Sequence, residues 1–408
     1  MSRLLALDVL DAVLEQRRAF DEAFDKHPRT NALEPRDRGF AYNLVATVLR
    51  RLGQLDAAID ACLQKPLGPR AQRIRQVLRL GAAQLLFLET PAHAAVDTSV
   101  TIAASDPRLE TYKNLTNAVL HRLAREGAEM IAAQDAARLN TPAWLWDSWC
   151  AVYGEDQGRA IATAHLNQAP LDLAVKADPQ AWARQLGAEL LPSGALRLPS
   201  GTPVASLPGF NEGAWWVQDA AAQMPVRLLA EVTGGLDGLR IADLGAAPGG
   251  KTAQLAAAGA RVIAVDRSGA RLAILRENMA RLNLTVEVVE ADAKSWRPEP
   301  LLDAVLLDAP CSATGTIRRH PDIPHLRRPE EAAKAGRVQA ELLEAALAMV
   351  RPGGTVVFAT CSLQQEEGPG VTAPLVASRD DVRFVKDLRT LPSEGWDGFY
   401  AAALVKAQ

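Results

Sequence analysis

The sequence predicts a multidomain chain: an all-α N-terminal bundle, a small α/β linker module, and a C-terminal α/β domain on a Rossmann-like, doubly wound sheet. Three observations predict it. Through residues 1–135, apolar residues recur at helical spacing. Residues 136–212 mix a tryptophan-rich stretch with Gly/Pro-rich pieces. From 213 to 408, short apolar runs alternate with helical patterns, as in βαβ units that build a parallel sheet. A chain of 408 residues exceeds one ordinary core, so a division into parts of this size is expected.

In the N-terminal part the helical pattern runs through Leu4–Val13, Phe40–Leu52, Ile74–Leu88 and the region around Leu115–Leu123, punctuated by Pro35, Pro66, Pro69 and Pro91. Arg50 and Arg51 close one helix, while Arg70, Arg73, Arg75 and Arg79 load another. These arginines are either solvated and favourable to helix dipoles, or a phosphate-binding face. Met1–Leu14 reads as an amphipathic helix rather than a signal peptide, and no apolar run approaches the ~20 residues that span a bilayer. A cytoplasmic protein with no membrane association is expected. Cys62, Cys150, Cys311 and Cys361 are scattered, with no CxxC and no His pair at zinc spacing. Neither a disulfide framework nor a metal site is expected, and Cys62 and Cys150 read as packing residues. The formal net charge of -3 excludes a globally basic surface, so any nucleic-acid contact must be local.

In the linker, Pro142, Trp144, Trp146 and Trp149 lead into a helix. Leu171–Ala177 reads as a strand, Asp178–Leu186 as a helix, and Leu191–Phe210 as short strand-like pieces. In the C-terminal part, strands are predicted at Leu239–Leu244, Arg261–Val265, Val286–Val289, Leu302–Leu307 and Thr355–Ala359. Helices are predicted at Thr252–Ala258, Arg271–Arg281 and around Ala332–Val350. Chemistry in open α/β sheets sits beyond the carboxyl ends of the strands. Those ends carry Asp266, Asp292, Asp308 and the run Thr360-Cys361-Ser362.

The first of these strands leads into Gly245, Ala246, Ala247, Pro248, Gly249, Gly250 and Lys251, a turn whose glycines permit close backbone approach to a ligand. It is neither GxGxxG nor a phosphate-cradling GxxxxGK[ST]. A dinucleotide or S-adenosylmethionine could bind here. Asp243 opposes a pyrophosphate and suits an amino and sulfonium group. Asp266 is placed for ribose hydroxyls and Asp292 for an adenine amino group, with Arg271 counted in the same site. Each acid alone could be a strand-end cap, but three ending successive strands favour S-adenosylmethionine.

The run Ala304–Thr316, AVLLDAPCSATGT, carries a buried strand into Asp308, Pro310 and Cys311. A lone intracellular cysteine is usually a buried thiol. Cys311 and Cys361 at one sheet edge, beside an acid and a cofactor loop, point instead to chemistry. After Cys311, Arg318, Arg319, His320, His325, Arg327 and Arg328 crowd one loop. This is either a solvated surface or a clamp on RNA phosphates beside an unstacked target nucleotide.

Asp243–Lys251, Asp308-Ala-Pro-Cys311-Ser-Ala-Thr-Gly315, His320-Pro-Asp322 and Ala359-Thr-Cys361-Ser together resemble the NOL/NOP/Sun family of RNA 5-methylcytosine methyltransferases. Arg36-Asp-Arg38, Val48-Leu-Arg50 and Asn117-Ala-Val-Leu120 resemble the antitermination factor NusB. A NusB-like RNA-binding domain ahead of this catalytic domain is similar to the branch of the family that acts on small-subunit ribosomal RNA. The resemblance implies that Cys361 is the nucleophile, Cys311 assists product release and Asp308 orients the base. It also implies that the Gly245–Lys251 loop with Asp266, Asp292 and Asp308 binds S-adenosyl-L-methionine, and that Gln218 and Asp219 shape the approach to the site. The chemistry agrees, because cytosine C5 becomes nucleophilic only after a thiolate adds at C6.

Some positions depart from the family pattern. Glu366-Glu367-Gly368 stands for Glu-Glu-Asn, Ala174-Val-Lys176 for Arg-x-Asn, and Pro324 and His325 for Lys and Trp. These bear on RNA contacts more than on methyl transfer. The rival expectations are a transfer-RNA substrate, an exocyclic-amine methyltransferase, and a non-catalytic RNA-binding protein with a relic catalytic domain. The exocyclic-amine enzyme would carry Asn/Asp-Pro-Pro-aromatic rather than Asp308-Ala-Pro-Cys311. A monomer is expected.

Overall fold

The computed structural model describes residues 1–68 and 71–408, so Pro69 and Arg70 lie outside the described residues. The chain divides into two compact units, Met1–Asn167 with Arg319–Arg327, and Gln168–Arg318 with Arg328–Gln408. The expected boundaries at 135 and 212 do not mark this division. Residues 136–167 group with the helical unit through side-chain contacts. Asn140 Nδ2 donates to Gln54 Oε1 at 2.9 Å, and Arg51 Nη2 donates to the Leu166 carbonyl at 3.0 Å. No helix among the described residues is long and apolar enough to cross a membrane.

The helical unit is built on Ser2–Leu14, Pro35–Arg50, Leu52–Cys62, Gln72–Leu86, Ala92–Ser105 and Lys113–Ala132. Their apolar faces meet in a core that includes Leu5, Leu10, Leu44, Leu55, Ile59 and Ile74, all fully buried. Cys62 packs at its margin. The phosphate-face reading of the arginines is corrected here. Arg73 pairs with Asp8 at 3.0 Å, with Asp106 at 3.4 Å and with Asp11. Arg75 pairs with Asp56 and Asp60 at 3.2 and 2.6 Å, and Arg79 with Asp56 at 2.6 Å. Carboxylates from other helices already occupy these guanidinium groups.

The segment Arg319–Arg327 belongs to this unit through its own contacts. Asp322 Oδ2 accepts the Phe20 N–H at 2.9 Å, and His320 Nδ1 lies 3.3 Å from Asp21 Oδ2. Burial drives the His325 pKa down, and the neutral ring meets the Leu49 carbonyl through Nε2 at 2.8 Å.

The second unit holds two sheets. Strands β1 (Leu171–Val175), β2 (Glu189–Leu190), β3 (Leu196–Leu198) and β4 (Trp215–Val217) form an antiparallel sheet in the order β2-β3-β1-β4. Its buried Asp172 is paired with Arg197 at 2.8 Å. The larger sheet contains β5 (Arg240–Leu244), β6 (Arg261–Asp266), β7 (Glu287–Glu290), β8 (Leu302–Asp308) and β9 (Val350–Thr360). It is completed by β10 (Val382–Thr390) and β11 (Phe399–Lys406), in the order β10-β11-β9-β8-β5-β6-β7. Strands β5 to β9 are mutually parallel, as the alternation predicts. Strand β11 runs antiparallel to β9, with Tyr400 opposite Thr360, and β10 antiparallel to β11. The strand order reverses between β5 and β8, where Leu244 pairs with Leu307. Such a switch point opens a crevice beyond the strand ends.

Candidate active site

Five parallel strands deliver their ends to this crevice. A cavity of about 510 Å³ lies there, within the range of small-ligand sites. Its polar wall includes Asp266, Arg271, Asp292 and Asp308, and both Cys311 and Cys361 border it. Leu244, Val265, Val338 and Leu342 supply an apolar wall. Gly245 also lines it, with φ of +79°. A Cβ there would stand 2.6 Å from the Asp308 carbonyl, so only glycine lets the two strand ends approach this closely. Asp266 accepts backbone N–H groups from Ser268 at 2.9 Å and Ala247 at 3.3 Å, and Arg271 Nη1 lies 3.4 Å away. Arg271 also reaches the Ala247 carbonyl, which ties the cofactor loop to the acid at the end of β6.

The rest of the predicted loop faces elsewhere. Ala246, Ala247, Pro248, Gly249, Gly250 and Lys251 line a second cavity of about 380 Å³, together with Gln218, Asp219, Asp243 and Asn278. Asp308 borders both cavities. Lys251 Nζ donates to Asp308 Oδ2 at 2.8 Å and sits 5.1 Å from the centre of the Phe399 ring. Burial alone would lower the Lys251 pKa, but Asp308 overrides it and holds the ammonium charged. Asp243 is fully buried and accepts from Thr252 Oγ1 at 2.6 Å, while its Oδ1 has no protein partner. Burial pushes its pKa up to about 7, with Asp308 adding in the same direction. Gln218 is buried, accepting from Trp216 Nε1 at 2.8 Å and donating to the Ala222 carbonyl at 3.1 Å.

The two thiols meet. Cys311 Sγ and Cys361 Sγ are 3.3 Å apart, brought together because β8 and β9 are parallel neighbours that end at the same edge. Ala309 N–H donates to the Ala359 carbonyl and Gly315 N–H to the Cys361 carbonyl, each at 2.9 Å. Gln339, from the helix Pro329–Met349, donates to the Pro310 carbonyl at 2.9 Å. At this spacing one thiol's S–H steadies the other's thiolate. The contact with Cys361 pulls the Cys311 pKa down, against burial. The same contact, burial and Asp308 push Cys361 well up, with Lys251 acting in the opposite sense. Cys311 is therefore the more acidic of the two thiols.

Two residues with no role assigned from the sequence hold these loops. One is Gln339. The other is Glu367, fully buried, which accepts from the Ser312 N–H and the Ser362 hydroxyl at 2.6 Å each. No local pattern signals either contact, since Glu367 and Ser312 are 55 residues apart.

The basic loop is not the single patch the sequence suggested. Arg318 is buried, with Nη2 2.9 Å from Asp397 Oδ1 and Nε 3.2 Å from the same atom. Arg319, His320 and Arg327 group with the helical unit, and Arg328 is exposed at the start of the helix Pro329–Met349. Among the described residues no cluster of three or more His, Cys, Asp or Glu is arranged to hold a metal ion.

The donor set suits S-adenosylmethionine. Asp266 and Asp292 are acceptors of the kind that a nucleoside's hydroxyl and amino groups require, the apolar wall could take its ring, and the Asp308 carboxylate is compatible with a cationic end.

Comparison with known proteins agrees. The family model for 16S rRNA methyltransferase RsmB/F matches residues 235–405, and that for the NusB family matches residues 1–125. A ribosomal RNA small subunit methyltransferase B from Vibrio cholerae is 37% identical, over 93% of this chain and 94% of its own length. Its counterpart from Escherichia coli is 34% identical, over 99% and 98%. Among solved structures, PH0851 aligns with a TM-score of 0.75 and 22% identity, covering 98% of both chains. NSun6 from Pyrococcus horikoshii with SFG aligns at 0.57 and 20%, covering 65% of this chain and 98% of that one. At those identities the structural likeness speaks for the fold alone. The relatives and the two family models span helical and catalytic parts alike, and the chain belongs to the RsmB/F family of S-adenosylmethionine-dependent 16S rRNA methyltransferases.

Proposed function

We propose that the protein methylates C5 of a cytosine in 16S ribosomal RNA through a covalent adduct between Cys361 and C6 of the ring. The observation that carries this reading is the 3.3 Å approach of two thiols on a cavity shared with Asp266, Asp292 and Asp308. An enzyme that methylated an exocyclic amine would have no use for either thiol. Bound beside Asp266, Asp292 and Asp308, S-adenosylmethionine supplies an electrophilic methyl group on a sulfonium centre.

The chain's own residues account for the rest. As the Cys361 sulfur bonds to C6, its proton passes to the Cys311 thiolate 3.3 Å away. Electron density moves onto N3 of the ring, where the Lys251 ammonium, 2.8 Å from Asp308, offsets the developing charge, while the Asp308 carboxylate orients the base by accepting from its exocyclic amino group. Addition at C6 turns C5 into an enamine-like carbon able to take the methyl group. Loss of the C5 proton to a base then expels Cys361 as a thiolate, and the proton on Cys311 is again shared by the pair. The Cys311 S–H, 3.3 Å away, steadies the departing Cys361 thiolate, whereas water can take the Cys361 proton in its place during attack, so loss of Cys311 slows release more than addition. The exposed Arg328 is the side chain we assign to RNA phosphate.

Bisulfite sequencing of ribosomal and transfer RNA, from cells with and without the gene, tests the reading. One 16S cytosine should lose its protection in the deletion strain. A lost mark confined to transfer RNA would replace the substrate, and no lost cytosine mark would overturn the chemistry.

A further inference from the structure

Glu367 borders neither cavity, yet its carboxylate is fully buried. A buried charge is costly unless donors converge on it. Here they come from two loops. The Ser312 N–H reaches Oε1 at 2.6 Å, the Ser362 hydroxyl reaches Oε2 at 2.6 Å, and the Ser312 hydroxyl also binds Oε2. The two serine hydroxyl oxygens are themselves 3.1 Å apart. Ser312 directly follows Cys311, and Ser362 directly follows Cys361. The same knot extends outward. Gln364 N–H donates to Ser362 Oγ, and Leu363 N–H donates to Thr314 Oγ1, each at 3.0 Å. Ala313, between Ser312 and Thr314, has φ of +59°, a left-handed conformation that an alanine holds only when its surroundings enforce it.

We infer that Glu367 is a positioning residue for the cysteine pair: by gripping the residue after each thiol, it sets the gap across which the two sulfurs share a proton. The inference rests on the reading that Cys361 attacks and Cys311 accepts its proton. Glu367 does not touch the reacting ring. It acts through Ser312 and Ser362. Release of either serine lets one loop drift relative to the other, and a drift of about 1 Å is enough to slow such a reaction roughly 10²-fold.

The test uses Glu367→Gln, Ser362→Ala and the double variant in the full-length protein. Steady-state methylation of ribosomal RNA is measured alongside bridging of the two thiols by dibromobimane, a reagent that links neighbouring sulfurs. Glu367→Gln should lower kcat roughly 10²-fold while the KM values for RNA and S-adenosylmethionine stay within about threefold. Its bridging rate should fall about tenfold with the same loss of register. The double variant should be no slower than Glu367→Gln within about twofold, because both changes cut one link. An unchanged bridging rate in Glu367→Gln, or losses that multiply in the double variant, would overturn the inference. Should Glu367→Gln fail to fold, Ser362→Ala, which removes one hydroxyl, must still lower kcat and bridging with KM unchanged, and normal bridging there overturns the inference. Failure of the underlying reading is seen separately, as full turnover by Cys361→Ala with bridging still sensitive to Glu367.

Discussion

The arginines of the helix Gln72–Leu86 and the acids at the ends of β6, β8 and the β7 turn look alike in the sequence, each a cluster of one charge. The structure treats them differently. Arg73, Arg75 and Arg79 are each closed off by carboxylates from other helices. Asp266, Asp292 and Asp308 line a cavity, with Arg271 beside Asp266 and Lys251 beside Asp308 at its edge. The difference is topological. Parallel strands joined by right-handed crossovers must end at one edge, so groups after those strands converge whatever else happens. A helix face has no such rule, and whether its charges stay available depends on what packs against it. The basic loop after Cys311 repeats the lesson, because Arg318 faces Asp397 rather than solvent.

The comparison can be broken at either end. The largest effect is expected at the strand ends: Cys361→Ala should abolish methylation in a filter assay, and Cys311→Ala should accumulate a covalent protein–RNA adduct visible as a gel shift. Wild-type turnover by Cys361→Ala would refute the assignment of the nucleophile. Lys251→Met, which removes the cation beside Asp308, should lower kcat by roughly 10²–10³-fold. If kcat is unchanged, the pair has no part in stabilising charge.

On the other side of the comparison, Arg318→Ala strands a buried Asp397 and should cost about 3–5 kcal/mol in denaturant unfolding. RNA affinity, measured on the folded fraction, should keep its salt slope. A slope reduced by about one would return Arg318 to the phosphate contacts.

A smaller effect concerns Asp243, pushed up to about 7 by burial. Its folded pKa lies above the unfolded value of about 3.9, so the folded state binds the proton more tightly. Stability should therefore be greatest below about pH 4 for this group and fall as pH rises toward about 7. Asp243→Asn should remove that slope in thermal melts, and an unaltered slope would show that the carboxyl is not buried as described.

Much of the site was legible because it follows from periodicity. The apolar runs ending in Asp266, Asp308 and Thr360 required parallel strands, and their common edge followed from the fold class. The antiparallel strands β10 and β11 escaped notice. Phe399–Lys406 is buried along most of its length without alternation, and its alanines carry little strand signal. The grouping of residues 136–167 with the helical unit was not legible, because Asn140 and Leu166 join it through Gln54 and Arg51, contacts spanning 86 and 115 residues.

By itself, then, the sequence determined the strand–helix alternation, the glycine turn and the set of acids and thiols at one edge. Residue type and spacing act locally, and topology does the rest. Only the tertiary structure decided which charges are paired and which cysteine is the more acidic, and it alone brought Glu367 to Ser312 and Ser362. Those outcomes depend on distances between segments far apart in the chain, and hydrogen bonds and ion pairs are sensitive to such distances at the level of tenths of an ångström.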